Sequence, residues 1–347
     1  MAVIWGLPGV KRIGEEMYDP RLTRRLLRLA GGLYLAARHG WPRAMIWFGQ
    51  APGDDLLCTA VAREWRRRER GRLWVISQHP QLFAGNPDVA LVLPQMIESP
   101  RFQAMFRQRG GQVLRVNYPD PDPALDLTPP PPRHLITVMC LRAGISGRIA
   151  LRPYLSLTAG ERRWGPRADR QVAIMSSGLV KARPMGNKEW GPERFQEVVD
   201  RLKGRYQFVQ LGAVQDPLLC GATDLRGRTT LRQAGAVLSQ SLAFVGQVGF
   251  LMHLARAVDC PSVIVYGGRE APWQSGYSCN TNLYTPVPCA PCWLWNRCDY
   301  GHECMKRIRP DSVAEALESL VERGRAPLAV DYDELAAEPA ADEAQML

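Results

Sequence analysis

Short apolar runs alternate along this chain with amphipathic stretches of helical period. AMIWFG (44–49) reads as a buried strand, and a loop, QAPGDD (50–55), leads into LLCTAVAREWRRR (56–68), a helix that buries Leu56, Val61 and Trp65. RLWVIS (72–77) and VALVLP (89–94) follow as strands. Strand, helix, strand at this rhythm predicts a parallel sheet with crossover helices. A Pro-rich surface connection (120–134) and a helix over 134–145 come next. A second set then opens with strands at 171–177, 206–212, 242–247 and 262–268. Helices at 192–204, 230–241 and 250–258 interleave with them, and one at 311–324 closes the series.

The polar, Gly- and Pro-bearing stretch near 157–170 divides the two sets. They predict an α/β protein of two Rossmann-like domains, 44–160 and 171–325, facing each other across a cleft. In such sheets ligands bind at the carboxyl ends of the strands.

Residues 1–43 form a basic helical extension. Within 20–38, Leu22, Leu26, Leu29 and Leu33 fall at helical spacing among Arg21, Arg24, Arg25, Arg28 and Arg38. Such a helix either lies on an anionic membrane surface or packs its leucines on the body. Packing is the favoured reading, because Gly31-Gly32 weakens a free helix. At the other end, residues 326–347 are acidic and poor in hydrophobic residues, and are expected to be a disordered tail.

The composition, 347 residues with 46% hydrophobic and 22% charged, excludes a disordered chain and a staple-dependent mini-protein. No run approaches the ~18 apolar residues of a transmembrane helix, and residues 1–12 lack the order of a signal peptide. The expected location is cytoplasmic, with a peripheral position at the inner face of the membrane as a variant. Net charge is +10, and six acids with no Lys or Arg in 326–347 leave about +16 on the rest. A body that basic attracts nucleotides, phosphorylated sugars, nucleic acid or a membrane surface.

Candidate chemistry lies at predicted strand ends. Gly53-Asp54-Asp55 offers a carboxylate able to take a proton from a sugar hydroxyl, or merely a helix cap. Lys188, ahead of a helix, sits where a phosphate would need a cation, though a surface lysine is the plainer reading. The Gly249-Phe250-Leu251-Met252-His253 turn presents a helix N-terminus suited to a diphosphate. His253 could equally be a hydrogen-bonded core residue. Gly267 and Gly268 would let a ligand approach the backbone. Cys289, Cys292, Cys298 and Cys304 crowd one loop (286–306), with His302 as a spare ligand. Four thiolates suit a structural zinc or iron; the alternatives are reduced thiols or disulfides formed in air. The other five cysteines are scattered and read as small core residues.

In order along 45–325, GQAPGDDLLCTAVAREWRRR, NPDVALVLP, KEWGPERFQEVVDRL, DLRGRTTLRQAGAVLSQS, GFLMHLARAVDCPSVIVYGG and CAPCWLWNRC resemble the heptosyltransferases of glycosyltransferase family 9. The resemblance implies a GT-B fold and inverting transfer of a sugar from a nucleotide-sugar donor, ADP-heptose in characterised members, with no divalent cation needed for the chemistry. Acceptors would be a glycan, a lipid-linked saccharide such as lipopolysaccharide core, or a protein. By the same resemblance Asp54 matches the general base, Lys188 the lysine at the donor phosphates, and 249–254 the donor-binding segment. The cysteine loop resembles the iron-binding finger of protein-modifying members. Many members place an acid five residues before the histidine; here Val248 stands there, beside Gln247.

Three rivals remain on sequence alone. A basic, metal-finger nucleic-acid-binding protein explains the charge and the cysteines but not two βα sets, so no nucleic-acid partner is expected. An inactive GT-B scaffold is suggested by Val248. A Rossmann dehydrogenase lacks its G-x-G-x-x-G.

Overall fold

The computed structural model describes residues 20–47, 51–94, 100–118, 122, 124–179, 184–324 and 328–335. Helix α1 (Pro20–His39) leads into the N-terminal domain: β1 (Ala44–Trp47), α2 (Pro52–Arg68), β2 (Leu73–Ser77), β3 (Leu91–Pro94), α3 (Pro100–Gln108), β4 (Gln112–Arg115), α4 (Leu135–Arg142) and β5 (Gly147–Ala150). Its parallel sheet runs β3-β2-β1-β4.

The C-terminal domain holds β6 (Gln171–Ile174), α5 (Pro192–Leu202), β7 (Gln207–Gln210), β8 (Ala222–Asp224), α6 (Leu231–Gln240), β9 (Ala243–Gln247), α7 (Phe250–Ala257), β10 (Ser262–Tyr266), β11 (Thr281–Tyr284) and α8 (Pro310–Glu322). Its six parallel strands run β11-β10-β9-β6-β7-β8. All-parallel sheets need both faces covered, and β2, β6, β9 and β10 are accordingly buried throughout. One apolar core runs through both domains, from Leu56 and Trp65 to Leu254 and Leu317. The two Rossmann-like units are the two halves of a GT-B fold.

Three expectations gain detail. The 120–134 connection runs largely along the surface but is anchored at Thr128, which is buried, its amide donating to the Trp293 carbonyl and its hydroxyl accepting from Trp295 Nε1. The acidic tail is not wholly without structure either. Tyr332–Leu335 forms β12, antiparallel to β5, and Arg256 donates to the Ala329 carbonyl at 2.8 Å. The chain therefore returns to complete the N-terminal domain, because β5 would otherwise present an unpaired edge.

The third concerns α1, which packs on the N-terminal sheet, the favoured reading, with Ala36, Phe102 and Trp74 in one cluster. The described contact runs through Gly32 and Ala36. A Cβ on Gly32 would fall 2.7 Å from the Phe102 ring, whereas Leu33 is 37% exposed. Residues 1–19 lie outside the described part.

Candidate active site

Two helix N-termini meet where the domains join. Ala51 is extended and Pro52 takes the first helical position, which needs no N–H donor. Gly53, Asp54 and Asp55 are therefore the first turn of α2, not part of a loop. Gly53 faces α7 so closely that a Cβ there would sit 3.8 Å from the Phe250 Cα. At α7 the lead residue Gly249 has φ of 155°, a conformation open to glycine. Each terminus brings free N–H groups and a positive dipole end to the junction.

The two neighbouring aspartates are separated by their surroundings. Asp55 is fully buried, accepting from Ser77 Oγ at 2.6 Å and pairing with His79 Nδ1 at 2.8 Å. It ties α2 to the end of β2. Asp54 is only partly buried, and its Oδ1 accepts from the Tyr118 hydroxyl at 2.6 Å. Burial pushes its carboxyl up to about 6, helped by the charge of Asp55; the Tyr118 hydrogen bond, the Ala51 backbone and the Lys188 charge oppose the rise. A carboxylate poised there is ionised at neutral pH and still basic enough to accept a proton.

Lys188 ends a 3-10 turn (Gly186–Lys188) and is ion-paired to Glu270. Burial draws its ammonium below the usual lysine range, with Arg269 adding to the effect and Glu270 opposing it. Glu270 also accepts from Ser275 Oγ at 2.8 Å and lies 3.7 Å from Arg269 Nε. Burial works against its charge, but Lys188 and Arg269 overcome that and hold the carboxyl down at about 2. The carboxylate of Asp54 on the N-terminal side and the ammonium of Lys188 on the C-terminal side are thus close enough for their charges to interact.

The other expected residues divide. Gly249, Phe250 and Leu251 lie at the junction, with the two side chains half-buried. Met252 and His253 turn inward: Tyr266 donates to the Met252 sulfur at 3.2 Å, and His253 Nδ1 lies 2.6 Å from the Tyr277 hydroxyl. Burial takes His253 down to about 3, so it is neutral and supports the turn from beneath. The space beside Gly267 is taken by the Asn187 carbonyl and Met305, and that beside Gly268 by the Cys304 sulfur. These glycines admit the cysteine finger rather than a ligand. Gln247, next to Val248, donates to Glu189 at 2.6 Å and accepts from the Trp190 amide.

The finger itself is docked on the site. Cys292 N donates to the Gly268 carbonyl at 2.7 Å, and Asn187, next to Lys188, donates to the carbonyls of Leu294 and Arg297. His302 is engaged by Asn187 Oδ1 at 2.9 Å. All nine cysteines are free. Burial raises the Cys292 and Cys304 thiols; Cys304 and Cys289 add to the first, and Cys298 and Cys289 to the second. Among the described residues no three His, Cys, Asp or Glu side chains are gathered into a metal-binding set.

Sequence reasoning missed Tyr118, Arg269, Glu270 and Ser275. Tyr118 follows β4, a short strand whose exposed residues hid its period. Arg269-Glu270 directly follows the Tyr266-Gly267-Gly268 strand end, and that position was the available signal.

Residues 167–293 match the model of glycosyltransferase family 9 (heptosyltransferase). No curated protein matches the chain. Among solved structures, the family 9 glycosyltransferase of Veillonella parvula superposes with a TM-score of 0.59 at 14% identity, over 82% of this chain and 98% of that one. ADP-heptose lipopolysaccharide heptosyltransferase II of E. coli gives 0.60 at 16%, over 82% and 100%. The iron-containing dodecameric glycosyltransferase TibC of enterotoxigenic E. coli gives 0.62 at 18%, over 81% and 78%. At these identities the structures speak to the fold, which is GT-B in each comparison. The family 9 match thus lies in the C-terminal domain, over residues 167–293, within the GT-B architecture of the whole, and the two together mark a nucleotide-sugar-dependent glycosyltransferase similar to the heptosyltransferases of that family.

Proposed function

We propose that this enzyme moves a heptose from ADP-heptose onto a hydroxyl of a saccharide, lipopolysaccharide-core or protein acceptor, inverting the anomeric centre. The observation that supports this best is Asp54 in the first turn of α2, which approaches the first turn of α7, with the Lys188 ammonium near enough for its charge to act on Asp54. Asp54 takes the acceptor hydroxyl proton as the oxygen attacks the anomeric carbon, and the bond to the diphosphate breaks on the opposite side. Negative charge builds on the departing diphosphate. In this reading Lys188 and the N–H groups at 249–251 stabilise it, and the chemistry calls on no divalent cation. TibC, of the same fold, has been solved with ADP-D-β-D-heptose, which makes that donor the first to try.

In the same reading Cys289, Cys292, Cys298 and Cys304 hold one structural zinc or iron. Four thiols on one finger have the donor chemistry such an ion takes, and because no three of them are gathered in this structure, binding would draw them together and fix residues 286–306 beside Lys188. Residues 20–38 supply peripheral contact with an anionic membrane, consistent with the outward Leu33; no described helix is long and apolar enough to cross one.

The test is release of ADP from ADP-heptose, with and without a heptose-accepting core saccharide. The expected result is acceptor-stimulated release that Asp54→Asn abolishes. Release unaffected by Asp54→Asn would reject the assignment of the base.

A further inference from the structure

Lys188 and Arg269 are two cations buried side by side, and Glu270 is the anion between them. Lys188 is 15% exposed at the side chain, Arg269 3% and Glu270 5%. Glu270 is held from both ends, by Lys188 at Oε1 and by Ser275 Oγ at Oε2. Arg269 is anchored separately, through Nη1 to the Trp293 carbonyl and through Nη2 to Thr128, while its Nε is buried without a hydrogen-bond partner. An incoming diphosphate needs the ammonium that Glu270 occupies, and both anions cannot claim it in full.

We propose that Glu270 is a built-in stand-in for the diphosphate: it keeps Lys188 in place when the donor site is empty and competes with the diphosphate for it. The inference rests on Lys188 facing the donor phosphates, as read above. Glu270 is a positioning residue, acting through Lys188. Holding a buried lysine on a fixed carboxylate stops it from folding away or losing its charge. The same contact weakens ground-state binding and returns Lys188 to Glu270 as the product leaves. Tight uniform binding of the diphosphate would lower KM without raising kcat and would slow release. A carboxylate competitor shifts the balance away from that outcome.

The proposal predicts a gain of affinity where a purely structural role predicts a loss. Inorganic pyrophosphate and ADP are titrated by calorimetry against wild type, Glu270→Gln, Lys188→Ala and the double variant. Glu270→Gln is expected to bind both ligands about 5–10-fold more tightly. In the Lys188→Ala background the same change should have much less effect, because the contested cation is gone. Equal tightening in both backgrounds would mean plain repulsion and would overturn the competition. Unchanged or weaker binding in Glu270→Gln would overturn it too. If Glu270→Gln fails to fold, Ser275→Ala removes one anchor of the carboxylate without removing a charge; it should tighten pyrophosphate binding by a smaller factor, and no change would count against the proposal. Failure of wild type to bind either ligand would instead remove the donor-site reading, and this inference with it.

Discussion

Replacing Asp54 by Asn tests catalysis and stability at once, with opposite signs. Asn keeps an oxygen for the Tyr118 hydroxyl, so the hydrogen bond at 2.6 Å survives while the charge goes. The folded carboxyl lies at about 6 against an ordinary 3.8. Between those values the folded protein binds the proton that the unfolded chain has released. Stability therefore falls as pH rises from about 4 to about 6. Above that window the ionised Asp54 costs on the order of 3 kcal/mol. Asp54→Asn should recover part of this at pH 7.5 and little at pH 4, seen as a Tm raised by several degrees at the higher pH only. Turnover should drop by ~10²–10⁴, the usual worth of a positioned base, while ADP binds no more weakly. A variant that turns over like wild type, or that is less stable than wild type at pH 7.5, would refute the reasoning.

Tyr118→Phe removes a hydrogen bond that favours ionised Asp54, so the acid limb of the rate–pH profile should move up by about 0.5–1 unit, with a larger loss at pH 6 than at pH 8. Lys188→Ala should lower turnover by ~10²-fold or more and weaken ADP binding; unchanged values of both would exclude Lys188 from the donor site. Protein purified under reducing conditions should carry close to one equivalent of zinc or iron and lose it on acidification as the thiolates protonate; under about a tenth of an equivalent would leave four ordinary cysteines. Ending the chain after Gly324 should lower stability by roughly 1–3 kcal/mol, because buried Arg256 loses the Ala329 carbonyl and β5 loses its partner; an unchanged Tm would show that β12 contributes nothing.

The sheets were legible because buried parallel strands such as Leu73–Ser77 and Ser262–Tyr266 are continuous apolar runs. Elements were missed where period and burial part company: β4 and β11 are largely half-exposed, and β8 is three residues long. β12 was hidden by its acids: Glu334 is exposed, Asp333 is half-buried against Arg133, and within the strand Leu335 alone is buried. Among the candidate site residues, Asp54 and Lys188 were visible as polar residues beside strand and helix boundaries. Which aspartate faces the junction could not be read from a Gly-Asp-Asp string, since that depends on Ser77 and His79 closing over Asp55. The same holds for Met252 and His253, where the direction of each side chain on α7 decides between ligand and core. Tyr118 and Glu270 act through partners far away in sequence, and a linear reading carries no sign of such pairs.

A nucleotide-sugar donor is proposed to bind at the domain junction, between Lys188 and the first turn of α7. Thermal shift and calorimetry with ADP-heptose, ADP, other nucleoside diphosphates and nucleic acid, on wild type and Lys188→Ala, test it most directly. A ligand at 100 times its Kd should stabilise the fold by ~2.7 kcal/mol. ADP-heptose and ADP should stabilise wild type, and Lys188→Ala should lose most of the effect. Stabilisation by DNA or RNA alone, or nucleotide binding indifferent to Lys188, would contradict it.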